Sequence, residues 1–444
     1  LEKKQNQNEN PARQTSDSKI MDKNRPINRL RKPTFRNLII LMSGEFAAKG
    51  FTFIAFAYLA RTLGQQTYGY IAPAYAILMF CTLIADFGAG TMGTREIARN
   101  PENSDDLVNK IISAQMLLAI SLCSLLIFFS LLLPAHFILV RLLIGFGISL
   151  LGVPFLLNWV FQGRNEMFLS TAPMTLRQGV FLIITLLVIS EPDDVVRLPI
   201  AEIIAVAAAG LIFITIYSRR VGSIKLSVSK GVDKKLFAQA LPIGGAQFIW
   251  ALRIYLPVIA VGLIQGAQAA AMFDIGHRIV MVFLAFLGVY FNNLLPALSL
   301  TSHDSLIEMR QLLYRSLFLS ILYSILLAVF IFFAAPVVLK IVYGNAFVHY
   351  ESIASFTALT WLVPAIAFRR NARTALITLN HQNLDFKISA IGVIIMVLLL
   401  LPLTFFYGII GCAWSMVISE LLTAAITWIF LLPKIRIRQI MVRQ

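Results

Sequence analysis

The chain has 444 residues, of which 58% are hydrophobic and only 14% charged, with a mean hydropathy of +0.78. An average soluble domain carries roughly 25% charged residues to clothe its core, so this balance excludes a disordered chain, a disulfide scaffold and an ordinary soluble enzyme. The net charge of +16, from 38 Lys and Arg against 22 Asp and Glu, would suggest nucleic acid in a soluble protein. In a polytopic membrane protein it is the excess that cytoplasmic loops collect, so no nucleic-acid partner is expected.

In chain order, residues 1–36 form a basic cytoplasmic tail with ten Lys and Arg against four acids and no hydrophobic periodicity. The chain opens on Leu1 and Met21 follows, which leaves open whether residues 1–20 belong to the native protein; no signal peptide is visible. Twelve apolar segments come next, each long enough to cross a bilayer as a helix: near 37–60, 70–94, 111–133, 136–161, 168–189, 198–218, 237–264, 270–300, 312–334, 352–378, 386–404 and 410–432. Their connections are short, and the longest is a basic cytoplasmic linker, 219–236. This divides the chain into a six-helix lobe (37–218), the linker, a second six-helix lobe (237–432) and a cytoplasmic tail (433–444). Cys81, Cys123 and Cys412 all fall in apolar segments with no CxxC or Cys/His spacing, and read as small core residues.

With the amino terminus inside, the inner loops and tails hold 26 Lys and Arg and the outer loops hold three, Arg61, Arg197 and Lys340. Both termini are therefore expected in the cytoplasm, as an even number of spans requires. Sliding the chain by 202 residues sets Gly64-Gln65-Gln66-Thr67 on Gly266-Ala267-Gln268-Ala269. Two parallel six-helix repeats, related by an axis along the membrane normal, are expected from that offset and the even division.

The stretch Leu59-Ala60-Arg61-Thr62-Leu63-Gly64-Gln65-Gln66-Thr67-Tyr68-Gly69-Tyr70 resembles the first outside loop of the polysaccharide transporter family, which contains the Wzx-type flippases and is related to the multidrug and toxin extrusion (MATE) proteins. Asp86-Phe87-Gly88 with Arg95-Glu96, and Phe237-Ala238-Gln239-Ala240-Leu241-Pro242, look like that family's second span end and seventh span entry. The Arg369-Arg370-Asn371-Ala372-Arg373 cluster departs from its pattern. The resemblance implies an all-α, MATE-like fold of two lobes around a central cavity in the cell inner membrane. It also implies a non-enzymatic carrier that flips undecaprenyl-diphosphate-linked oligosaccharide from the inner to the outer leaflet for O-antigen or other surface polysaccharide. Its partners would be that substrate, membrane lipid, a coupling proton or Na⁺, and a glycan polymerase complex. No cofactor or metal is implied.

Nine Lys and Arg remain inside the spans: Lys49, Arg141, Arg177, Arg253, Arg278, Arg315, Arg369, Arg370 and Arg373. Five acids accompany them, Glu45, Asp86, Glu202, Asp274 and Glu420. A charge near the bilayer centre costs about 2.5–3.5 kcal/mol on insertion scales, so deep charges should face a watery interior. Arg141, Glu202 and Arg315 lie near span ends, where snorkelling serves them. At 1.5 Å per residue, Lys49 lies roughly 18 Å, Arg177 roughly 14 Å and Arg253 roughly 24 Å from their cytoplasmic entries, too deep to snorkel easily. Glu45–Lys49 and Asp274–Arg278 stand at i,i+4 in the favourable acid-first order, whereas Arg177 and Arg253 have no acid partner in their own helix.

A lipid diphosphate crossing a low-dielectric slab needs cations, and Arg presents a planar fork to phosphate oxygens. Lys49, Arg177, Arg253 and Arg278 are therefore the candidate headgroup contacts, with Arg369, Arg370 and Arg373 as an inner entry site. Glu45, Asp274 and Glu420 are the candidates for ion coupling. Pro257 and Pro364 each remove a helical N–H and free a carbonyl, of Arg253 and Thr360. The competing reading, an ion-coupled MATE-type exporter of drugs, would want acids to dominate the cavity. No Walker, metal-ligand or nucleophile–base pattern supports an enzyme.

Overall fold

The computed structural model describes residues 35–100, 104–132, 136–224, 234–304 and 306–441. Residues 1–34, residues 225–233 of the basic linker and residues 442–444 lie outside the described residues, and so do the expectations that fall on them. Every regular element described is helical. The helices are α1 (Phe35–Asp86), α2 (Ala89–Arg99), α3 (Ser104–Leu132), α4 (Phe137–Ser149), α5 (Asn158–Gly163), α6 (Met167–Val188), α7 (Leu198–Arg220), α8 (Lys234–Ile264), α9 (Ala267–Asp304), α10 (Leu306–Tyr343), α11 (Tyr350–Thr360), α12 (Leu362–Thr378) and α13 (Gln382–Met441). By length and composition, ten stretches among the described residues are able to cross a membrane.

Two of those stretches, Ile39–Asp86 and Gln382–Ile435, run to 48 and 54 residues, more than twice the ~20 that a span needs. Each is interrupted at one glycine with non-helical backbone, Gly64 (φ 72°) and Gly408 (φ 60°). Glycine takes that left-handed region at no steric cost, which other residues do not. Gly266, 202 residues after Gly64, also has positive φ (88°) and separates α8 from α9. The offset read from the sequence thus joins two backbone breaks of the same kind.

Proline accounts for other breaks. The expected 136–161 segment is α4, a 3-10 turn at Leu150–Phe155 containing Pro154, and α5. The expected 352–378 segment breaks at Trp361, between α11 and α12, three residues before Pro364, where the ring cannot continue the preceding turn. Cys81, Cys123 and Cys412 are buried and free.

Polarity is inverted relative to a soluble bundle, because the hydrocarbon solvates apolar side chains as well as the interior does. On α10 the hydroxyls of Ser316, Ser320 and Ser324, four residues apart, are buried, while Phe318, Leu322, Leu326, Phe330 and Phe333 are exposed. Small residues facing inward let neighbouring helices approach closely. Helices α1–α7 pack chiefly on one another, as do α8–α13, and the two halves meet where α1 lies against α8 and α9 and α2 against α8.

Candidate functional site

Among the described residues, three buried groups of ion-paired side chains lie within the helical bundle. The largest belongs to the second half. Arg369 and Arg373, at i,i+4 on α12, share a face, with Arg370 next to them; Arg253 comes from α8 and Glu420 from α13. The carboxylate of Glu420 accepts from two guanidiniums at once, Arg253 Nη1 on Oε2 and Arg369 Nη1 on Oε1 (3.1 Å). Arg369 Nη2 also donates to Ser389 Oγ at 2.7 Å, and Arg253 Nη2 lies 3.4 Å from Thr423 Oγ1. Arg373 Nε donates to Asp385 Oδ2 at 3.0 Å. Arg370 makes no ion pair among the described residues; its guanidinium carbon lies 5.9 Å from the centre of the Phe291 ring.

Helix α12 is pinned on both sides. Asn371, fully buried, accepts from Ser316 Oγ (2.7 Å) and donates to Ser320 Oγ (2.9 Å), which ties α12 to α10. On the other side Trp428 of α13 donates its indole N–H to the Phe368 carbonyl (3.0 Å) and stacks on the Phe368 ring. Asn380, in the left-handed region (φ 64°), makes the turn between α12 and α13, a conformation that Asn tolerates better than most residues. That turn carries Asp385 back to Arg373. Gly392 of α13 is a matter of space, because a Cβ there would overlap Arg253 Nη2 and Thr423 Oγ1.

The second group is a pair in the first half. Arg177 of α6 donates to Glu202 of α7, with side-chain exposures of 9% and 1%. The third group lies where the halves meet. Arg278 Nε donates to Asp274 Oδ2 at 2.5 Å within α9, and Tyr68 of α1 donates its hydroxyl to the same oxygen at 2.6 Å. The Arg278 guanidinium sits 3.4 Å over the centre of the Phe56 ring, also on α1. A cation against an aromatic face gains from the ring quadrupole, more so where water is excluded.

The structure therefore brings Arg253, Arg369, Arg370, Arg373 and Glu420 together and keeps Arg177, Arg278 and Lys49 apart from them. Arg177 and Arg253, which have no acid in their own helix, are each held by a carboxylate of another helix. Glu202, expected to snorkel, is instead buried against Arg177. Glu45 and Lys49 are both exposed on α1 and form no ion pair among the described residues, although their spacing predicts one. Asp274 does pair with Arg278 as the spacing predicts. Two of the coupling candidates, Asp274 and Glu420, are thus occupied by guanidiniums. Sequence reasoning misses Asp385 and Ser389 and names Asn371 and Tyr68 only as members of motifs, not for the contacts that tertiary packing gives them.

The LARTLGQQTYGY stretch closes one end of the bundle. Arg61 donates to the carbonyls of Val342 (2.8 Å) and Ile341, and Gln65 donates to that of Ala346. Gln268 donates to Gln65 Oε1 at 2.8 Å, which joins the two segments related by 202 residues. A Cβ on Gly69 would overlap the Ala267 carbonyl, so only glycine permits that approach. Toward the other end, Phe87 stacks on Phe237 and Gln247 donates to Thr91.

Comparison with known proteins agrees with this architecture. A protein of Shigella dysenteriae named "Putative O-antigen transporter" is 23% identical over 410 residues, which cover 90% of this chain and all of that one. Among solved structures, the inward-facing conformation of a multidrug resistance MATE family transporter of the MOP superfamily superposes with a TM-score of 0.74 at 14% identity, covering 87% of this chain and 94% of the other. The outward-facing conformation of a transporter so described gives 0.62 at 14% identity, covering 91% and 96%. The profile of the family described as polysaccharide biosynthesis protein matches residues 34–302, more than half of the sequence, and the chain belongs to that family on a MATE-like helical fold.

Proposed function

We propose that the protein is a flippase that moves an undecaprenyl-diphosphate-linked oligosaccharide from the cytoplasmic to the outer leaflet of the inner membrane, for O-antigen or another surface polysaccharide. The observation that carries this is the excess of guanidinium over carboxylate in the second half: Arg253, Arg369, Arg370 and Arg373 face only Glu420 and Asp385, a net charge of +2. A diphosphate diester brings about two negative charges, and Arg forks match its oxygens. The family membership and the O-antigen transporter relative support the same cargo.

In this reading α1–α7 and α8–α13 are two lobes, and the two long stretches broken at Gly64 and Gly408 each cross twice, for twelve spans with both termini in the cytoplasm. The contacts around Arg61, Gln65 and Tyr68 close the outer side, and the closer fit to an inward-facing MATE structure supports that state. The cargo then binds from the cytoplasm at the cationic cluster, with Arg370 and the half-exposed Arg373 as its entry. Arg177 and Arg278, each matched by one carboxylate, hold the lobes in shape instead of gripping the headgroup. Of the three coupling candidates, Glu45, free of any ion pair among the described residues, is the carboxylate open to a coupling proton or Na⁺.

The drug-exporter reading fits less well, because a carrier of organic cations needs acids in excess at its site. Deleting the gene and identifying the lipid-linked glycan that accumulates in the cytoplasmic leaflet tests the proposal. Normal surface polysaccharide with no accumulated intermediate would overturn it.

A further inference from the structure

We propose that Glu420 is a tethered stand-in for the cargo's diphosphate: it occupies the Arg253–Arg369 site while the carrier is empty and must be displaced for the headgroup to bind. This inference rests on the flippase reading above.

One carboxylate bridges two guanidiniums that come from two other helices. All three side chains are largely buried, at 7% exposure for Glu420, 14% for Arg253 and 10% for Arg369. Both arginines keep donors in reserve, since Arg253 Nε and Arg369 Nε are buried and have no hydrogen-bond partner among the described residues. An unsatisfied buried donor is costly; Arg177 Nε is idle in the same way beside Glu202, and what sets this site apart is that two idle N–H groups on two helices flank one carboxylate. They are explained if the site is made for an anion with more acceptor oxygens than a carboxylate has. A diphosphate has enough to take the two Nη1 donors that Glu420 now holds together with the two idle Nε donors.

The stand-in solves a physical problem of any carrier with a charged site. Two guanidiniums facing each other without an anion would repel in a low-dielectric interior, and an empty site would bind its cargo too tightly to release it. A carboxylate on the protein lowers the charge of the empty site and competes with the cargo at every turn of the cycle. Its effective concentration is high because it is tethered, so release is assisted without any further ligand. Asp385 relates to Arg373 in a similar way at the more exposed edge, where the pair opens at lower cost. Glu420 is thus a positioning residue that acts on cargo through Arg253 and Arg369.

The test uses the full chain in lipid nanodiscs with three probes: undecaprenyl diphosphate, undecaprenyl monophosphate and free pyrophosphate. Removing the competing charge with Glu420→Gln is expected to tighten undecaprenyl diphosphate binding at least tenfold and to slow flipping of the same lipid in proteoliposomes. Glu420→Asp, which keeps the charge on a shorter arm, should tighten binding by less and restore most turnover. Loss of a merely structural ion pair would weaken binding and transport together. Unchanged or weaker binding in Glu420→Gln, while the wild type binds, overturns the stand-in role and leaves the flippase reading intact. If Glu420→Gln does not yield folded protein, the same comparison is made with Glu420→Asp, and unchanged or weaker binding there overturns the role equally. A wild type that binds undecaprenyl diphosphate no better than free pyrophosphate, or binds neither, overturns the flippase reading itself.

Discussion

Arg177 separates the two uses of a buried cation, and its partner makes the test quantitative. If the pair with Glu202 is structural, Arg177→Gln strands a carboxylate that is 1% exposed and whose other oxygen, Oε2, has no partner among the described residues. Stranding one member of a buried pair costs about 3–5 kcal/mol, whereas replacing both members by neutral side chains of similar size is often close to neutral. Glu202→Gln should cost a similar amount, and the double variant Arg177→Gln/Glu202→Gln should cost no more than about half of either single, so that the two single effects are far from additive. At roughly 2 °C per kcal/mol for a long chain, each single variant should melt about 6–10 °C lower in detergent and the double variant only a few degrees lower. Flipping by the double variant should stay within about threefold of wild type, a change of under ~1 kcal/mol in barrier. A double variant that is stable but does not transport would refute this reasoning and return Arg177 to the cargo site.

Other substitutions probe the remaining groups. Gly69→Leu places a side chain where the Ala267 carbonyl lies, and should hold the lobes apart at that end; accessibility of a cysteine at Gln65 to a water-soluble thiol reagent should rise. Tyr68→Phe removes a hydrogen bond to an ionised acceptor, worth about 1.5–3 kcal/mol, and the same reagent should detect a roughly tenfold or greater shift toward the open form. Gly392→Ala crowds Arg253 and should weaken undecaprenyl diphosphate binding severalfold, as measured in nanodiscs. Lys49→Gln, at an exposed position, should change the melting temperature little, within about 0.5 kcal/mol. A selective loss of transport there would add Lys49 to the cargo path.

The spans were legible because apolar length is a local property. The break near Pro364 falls at a proline the sequence singles out and the breaks at Gly64 and Gly266 fall on the 202-residue offset, whereas the break at Pro154 divides a segment expected to run unbroken. The pairing of charges was not legible. Asp274 and Arg278 are four residues apart on one helix and meet, but Glu45 and Lys49 have the same spacing and do not, because exposed side chains gain little from pairing. Glu202 is 25 residues from Arg177, and Glu420 is 167 from Arg253. Only the packing of α6 on α7, and of α8 on α13, reveals those partners. Depth in the membrane pointed to Arg177 and Arg253, which have partners, and equally to Lys49, which is exposed and has no ion pair among the described residues; it carried no information on whether a partner is cargo or protein.

The charge inventory is lopsided, and this bears on what drives transport. Arg177 and Arg278 are each matched by one acid, so the first half and the contact between halves add no net charge, whereas the cluster on α8, α12 and α13 retains +2. A diphosphate of about two negative charges would cancel that excess. On the proposed flippase mechanism the loaded carrier would rock as a nearly neutral body and the empty carrier would return with its positive charge uncompensated. An inside-negative potential acts on each moving charge with about 2.3 kcal/mol per 100 mV, scaled by the fraction of the field it crosses. The potential would therefore do little for the outward step and would pull the empty site back toward the cytoplasm, ready to reload. In this scheme the anion's own charge does not drive its export: the arginines convert a voltage that would act on the cargo into one that resets the protein. Collapsing the potential should accordingly slow multiple-turnover flipping while leaving a single outward turnover unchanged.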